Sequence, residues 1–76
     1  MTNKLSELLP GEKGTILSFE NEEIHLKLME MGCVPGEEIE VERIAPLGDP
    51  ISVIVSGYHL SLRVEEALAI TIKKHN

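Results

Sequence analysis

Four side chains in this sequence carry donor atoms suited to metal or nucleophile chemistry: His25, Cys33, His59 and His75. A thiolate at Cys33, with His25 or His59 as its base, would be a nucleophile. The same imidazoles and thiol are also the ligands that Fe²⁺ or Zn²⁺ takes up. Spacing favours neither. None of the four stands one helical turn from another, and the single cysteine rules out a Cys-x-x-Cys pair. Nothing beside Cys33 marks it as activated, so it reads as a small hydrophobe at a helix end. Met29 shares a helix face with His25, but one imidazole and one thioether hold a metal poorly. Ser6, Ser18, Ser52, Ser56 and Ser61 lack a Gly-x-Ser-x-Gly elbow, and no Gly-x-x-x-x-Gly-Lys loop is present to cradle phosphate. The expectation is a chain with no catalytic residue and no cofactor. His25, Cys33 and His59 are kept only as candidates for weak Fe²⁺ or Zn²⁺ binding.

Carboxylates invite a second thought. Glu38, Glu40 and Glu42 alternate along one strand-like stretch. Alternate residues on a strand stand roughly 6.5–7 Å apart, too far to share one ion, so a solvated acidic face is expected. Thirteen acidic residues against seven basic ones give a formal charge of −6. Such a surface repels phosphate backbones and anionic headgroups. Phe19 and Tyr58 are the only aromatic rings, too few for a base-stacking platform. Nucleic acid is therefore not an expected partner, and neither is a membrane surface.

The elements that position these groups must fit one core, since 76 residues make a single domain spanning 1–76. A chain this short buries only roughly 60% of its unfolded surface. Leu5, Leu8 and Leu9 lead in with a helical turn before Pro10. Pro10-Gly11 and Pro35-Gly36 share the chemistry of a type II turn, in which glycine supplies the positive φ, and each precedes a strand. Gly14 to Phe19 reads as the first strand, with Thr15, Leu17 and Phe19 on one face and Ile16 on the other. Asn21 then caps a helix of about ten residues, whose apolar stripe is Ile24, Leu28 and Met31, broadened by Leu26 and Met29. Gly32 ends it.

Glu38 to Ile44 alternates as a half-buried strand. Ala45 to Pro50, with two prolines and a glycine, is a loop. Ile51–Val55 and Tyr58–Leu62 form a hairpin about Ser56-Gly57, with Leu60 and Leu62 inward. Val64 to Ala67 is a single turn, and Ala69 to Ile72 a last strand. Five short strands with one inserted helix predict an all-β, SH3-like barrel, closed to hide its edges.

Within this pattern Leu47 is either folded back on the barrel or offered outward by its flanking prolines at low entropic cost. Met29, on the margin of the helix stripe, is either core or part of an adaptable groove. The lone cysteine points to a reducing compartment. The first residues lack a signal peptide's apolar core, and no apolar run nears the roughly 20 residues of a membrane span. A cytoplasmic location is expected.

Three segments carry a resemblance. Leu28-Met29-Glu30-Met31-Gly32-Cys33-Val34-Pro35-Gly36, then Ile44-Ala45-Pro46-Leu47-Gly48-Asp49-Pro50-Ile51, then Leu60-Ser61-Leu62-Arg63 with Glu66-Ala67 and Ile70 are similar to the FeoA family. The central eight-residue block is the most specific of them. The resemblance implies an SH3-like barrel acting in the cytoplasm beside FeoB, the membrane ferrous-iron transporter. On that reading the small protein docks on the transporter rather than carrying iron. The expected contact patch is Leu28 and Met29 of the helix, Pro46 and Leu47 of the loop, and Tyr58. The same fold resembles the C-terminal domain of iron-dependent repressors, which leaves a metal-binding or regulatory domain as the alternative. Oligomeric state is left open.

Overall fold

Alternating apolar residues fold this chain into one antiparallel sheet, seen in a computed structural model that describes residues 2–75. The elements are β1 (Thr2–Lys4), β2 (Lys13–Phe19), α1 (Glu22–Glu30), β3 (Glu38–Ile44), β4 (Ile51–Val55), β5 (Tyr58–Leu62), α2 (Val64–Leu68) and β6 (Ile70–Lys74). The strand order is β1-β6-β2-β3-β4-β5. The described residues form six strands, not five. Thr2-Asn3-Lys4 adds the extra one by pairing with β6, its three polar residues giving no alternation to read. The ladder also leaves β1 and β5 as edges, so the barrel is partly open rather than closed.

Every strand from β2 to β6 sends residues into the same core. Ile16, Ile39, Val41, Val53, Val55, Leu62, Ile70 and Ile72 are almost wholly buried. Leu5 and Leu8 plug one end from a 3₁₀ turn at Leu5–Glu7. The expected lead-in turn is thus present, although Leu9 points to solvent.

β2 and β3 are built alike. Both show the same sequence of buried and exposed positions, and both follow a Pro-Gly-Glu turn. Gly11 and Gly36 sit at φ +90° and +95°, a conformation that an L side chain resists. Gly11 N–H donates to the Val41 carbonyl at 2.8 Å, and Val41 N–H donates to the Glu12 carbonyl at 3.0 Å. Gly36 N–H donates to the Ile16 carbonyl at 2.8 Å, and Ile16 N–H donates to the Glu37 carbonyl at 2.9 Å. The two turns are therefore a local two-fold pair, each clasping the other's strand.

Each of these strands then slips register by one residue, at Leu17 and at Glu42. A bulge shifts side-chain parity. Ile16 points in, Leu17 is left outside at 41% exposure, and the half-buried Phe19 turns back toward the core. This corrects the expected placing of Leu17 on Phe19's face.

The inserted helix starts where the Asn21 side chain accepts from Ile24 N–H at 2.8 Å. Leu28 is fully buried, Ile24 and Met31 pack against the core, and Leu26 and Met29 are exposed. A five-residue α2 closes the β5–β6 corner, its N-terminal Val64 N–H donating to Asp49 Oδ1 at 3.2 Å. None of the helices is long and apolar enough to cross a membrane among the described residues.

Candidate partner-binding surface

The sequence-predicted donors do not meet. His25 stacks on Phe19, with ring centroids 5.0 Å apart and 17° between planes. Cys33 is wholly buried, and that burial pushes its thiol pKa up. His59 lies on β5 with its Nδ1 3.2 Å from Glu42 Oε1, the carboxylate of the β3 bulge. His75 bridges Thr15 Oγ1 at 2.7 Å and Glu38 Oε2 at 3.4 Å. Among the described residues no three His, Cys, Asp or Glu side chains converge on a point that would hold a metal ion.

The expected contact patch splits. Leu28 is core, fully buried on the inner face of α1, and cannot touch a partner. Its place at the centre of the helix stripe is the reason. Met29 is 45% exposed, Tyr58 67% and Leu47 97%. Strand register then sets Leu47 and Tyr58 apart. Ile51 pairs with Ile44 on one side and Leu62 on the other, whereas Val55 pairs with Tyr58. The 45–50 loop therefore sits at one end of β4 and Tyr58 at the other, roughly 13 Å away along the strand. They belong to two surfaces.

At the first, Leu47 stands on a tip braced from within. Gly48 N–H donates to the Ala45 carbonyl at 2.7 Å, and Ala45 N–H donates to the Pro50 carbonyl at 3.1 Å. Pro46 is exposed beside it. At the second, Tyr58, His59 and Leu60 of β5 face Glu30, Met31 and Gly32 across a hollow of about 430 Å³. Met31 and Leu60 line it half-buried, each with one side on the core.

The sequence places Leu60 inward and favours core over an adaptable partner groove for Met31, yet each also borders this hollow. The signal that could have shown this is Met31-Gly32: the glycine, at φ +90°, stops the helix and opens a space beside the methionine. A larger hollow, about 560 Å³ among Gly11, Glu12, Lys13, Lys74 and His75, is polar, and its charges answer one another through Lys74 Nζ and Glu12 Oε2 at 2.7 Å. It offers little to a ligand.

Among the described residues the buried charged side chain is Glu66. Its Oε1 accepts Arg63 N–H at 2.9 Å and its Oε2 accepts from Lys27 Nζ on α1. The Lys27 ammonium, then the Arg63 amide, hold this carboxyl below the ordinary range despite burial. It ties the inserted helix to the barrel.

Comparison with known proteins agrees with this architecture. The FeoA domain family model matches residues 3–74. The Fe(2+) transport protein A/Fe(2+) transporter FeoB fusion protein of Porphyromonas gingivalis is 38% identical over 71 residues, which are 92% of this chain and 8% of that protein. The FeoA protein of Chlorobium tepidum is 42% identical over 93% of this chain and 69% of its own, with a TM-score of 0.87. The FeoA of Stenotrophomonas maltophilia, an SH3 domain protein crystallised with zinc, is 30% identical over 100% of this chain and 96% of its own, with a TM-score of 0.80. An SH3-like sheet with one inserted helix and a family match over nearly its whole length place it: the chain belongs to the FeoA domain family.

Proposed function

We propose that this domain is an accessory module of ferrous-iron uptake that acts in the cytoplasm by docking on a FeoB-type transporter. The observation that carries the reading is the P. gingivalis relative, in which a matching domain and the transporter are one polypeptide. Covalent joining keeps two partners at millimolar effective concentration, which is useful only where they touch. Surface chemistry supports the same reading. Apolar side chains are offered at Leu47, Met29 and Tyr58, whereas the metal-capable groups are stacked, buried or dispersed.

The module performs no reaction of its own and needs no cofactor; ferrous iron is the transporter's cargo. A pull-down with the transporter's cytoplasmic domain tests the proposal. Retention is expected, and none at high micromolar concentration overturns it.

A further inference from the structure

The edges of the sheet are not equivalent. β1 is three residues long, and its Lys4 side chain is tied to Glu20 and Thr71. β5 is five residues long, pairs with β4 in unbroken register, and has no second neighbour in the ladder among the described residues. Edge strands are normally blunted by proline, lysine or a bulge. Tyr58-His59-Leu60-Ser61-Leu62 carries none of these. The two bulges of the sheet fall on β2 and β3 instead. Beside this edge lies the hollow between β5 and the end of α1.

Its charge is one-sided. Glu30 lines the hollow and forms no ion pair among the described residues, and His59, the one basic group there, is engaged by Glu42. A second copy of this chain would bring a like charge of −6 against it, and like-charge pairing suppresses association.

We propose that the edge of β5 receives an extended, cationic segment of the transporter's cytoplasmic part as an added strand. This rests on the docking reading above and names its surface. Main-chain hydrogen bonds to β5 would supply affinity. An apolar side chain of the segment would drop between Met31 and Leu60, and a Lys or Arg would reach Glu30. Five residues of β5 accept about 17 Å of strand, a small interface of the weak, transient class. That suits a module whose relative is tethered to its partner.

The test is a set of peptides tiled across the transporter's cytoplasmic segments, titrated into ¹⁵N-labelled domain. A cationic peptide should move the amides of residues 58–62 and slow their hydrogen exchange at least about tenfold at saturation. N-methylation at alternate peptide residues, which removes strand hydrogen bonds, should weaken binding at least about tenfold, as should Glu30→Lys in the domain.

Three outcomes overturn the proposal: equal binding of the methylated peptide, no peptide that moves these amides, or shifts that follow protein concentration without peptide and so assign the edge to self-association. Retention of the whole domain by the transporter's cytoplasmic part is measured alongside. Retention with silent β5 amides removes this surface and keeps the docking reading. Absent retention removes both.

Discussion

Lys27 of the inserted helix reaches across to Glu66 of α2, a residue 39 positions further along the chain. The lysine is largely solvated while the carboxylate is almost wholly buried. The pair therefore does not act as a surface ion bridge of negligible worth. The burden falls on Glu66, whose second oxygen also caps Arg63 N–H.

Glu66→Gln is expected to cost about 1–3 kcal/mol, the usual penalty for removing a charge-assisted partner from a buried site. The folded carboxyl titrates below its ordinary value of 4.5, first through Lys27 and then through Arg63. A lowered folded pKa adds stability that is complete above the unfolded value and fades as pH falls through the folded one. Denaturant unfolding of wild type and variant should therefore differ most near neutrality and converge below about pH 4.5. A gap that does not change with pH would refute the assignment.

Gly14 faces its neighbours at close range. An added Cβ would lie 2.7 Å from Ile72 Cδ1 and 2.9 Å from the Lys73 carbonyl oxygen. The isoleucine tip can turn, but the backbone oxygen cannot. Gly14→Ala should cost about 1–3 kcal/mol by overpacking, read as a lowered Tm. Gly48, whose added Cβ would meet nothing within 4 Å but whose φ is +91°, is a control for conformation without crowding.

Leu28 and Leu47 separate folding from binding. Leu28→Ala should lose about 2–5 kcal/mol from the core. Leu47→Asp, at 97% exposure, should leave stability within about 0.5 kcal/mol. Its effect on transporter capture then reports on the loop tip alone. Unfolding of Leu47→Asp would contradict the outward placing.

Cys33 should resist alkylation in the native state, since it is fully buried and its thiol is disfavoured as thiolate. Iodoacetamide labelling is expected at least about 100-fold slower than in denaturant, because it requires opening of the fold. Rapid native labelling would show that the α1–β3 connection is loosely packed.

Much of this architecture was legible from residue types. Asn21, Gly32 and the alternation of Glu38 to Val41 specify α1 and β3 by capping and period, and the structure places both there. The misreadings have local causes. Three polar residues became β1 because β6 supplied a partner, a tertiary effect that no short pattern carries. Leu17 was put on the wrong face because a bulge changes parity without changing composition. The paired Pro-Gly turns were visible, but their mutual clasp needed the backbone.

The candidate surface was less legible. Leu47 belongs to a proline-flanked loop and Tyr58 opens a strand in the sequence, but only register shows that they stand at opposite ends of β4. Met31 and Leu60 looked like core because half of each is core.

The pairing of Thr2 with Lys73 has a mechanical consequence. Because β1 and β6 run antiparallel, their outer ends lie side by side. A pull applied across these two points breaks the ladder one rung after another, as a zipper opens, instead of shearing all rungs together. Linked at both points within a longer polypeptide, the domain would yield at this seam under modest tension. The β3–β4–β5 portion, loaded last, would keep its shape longest.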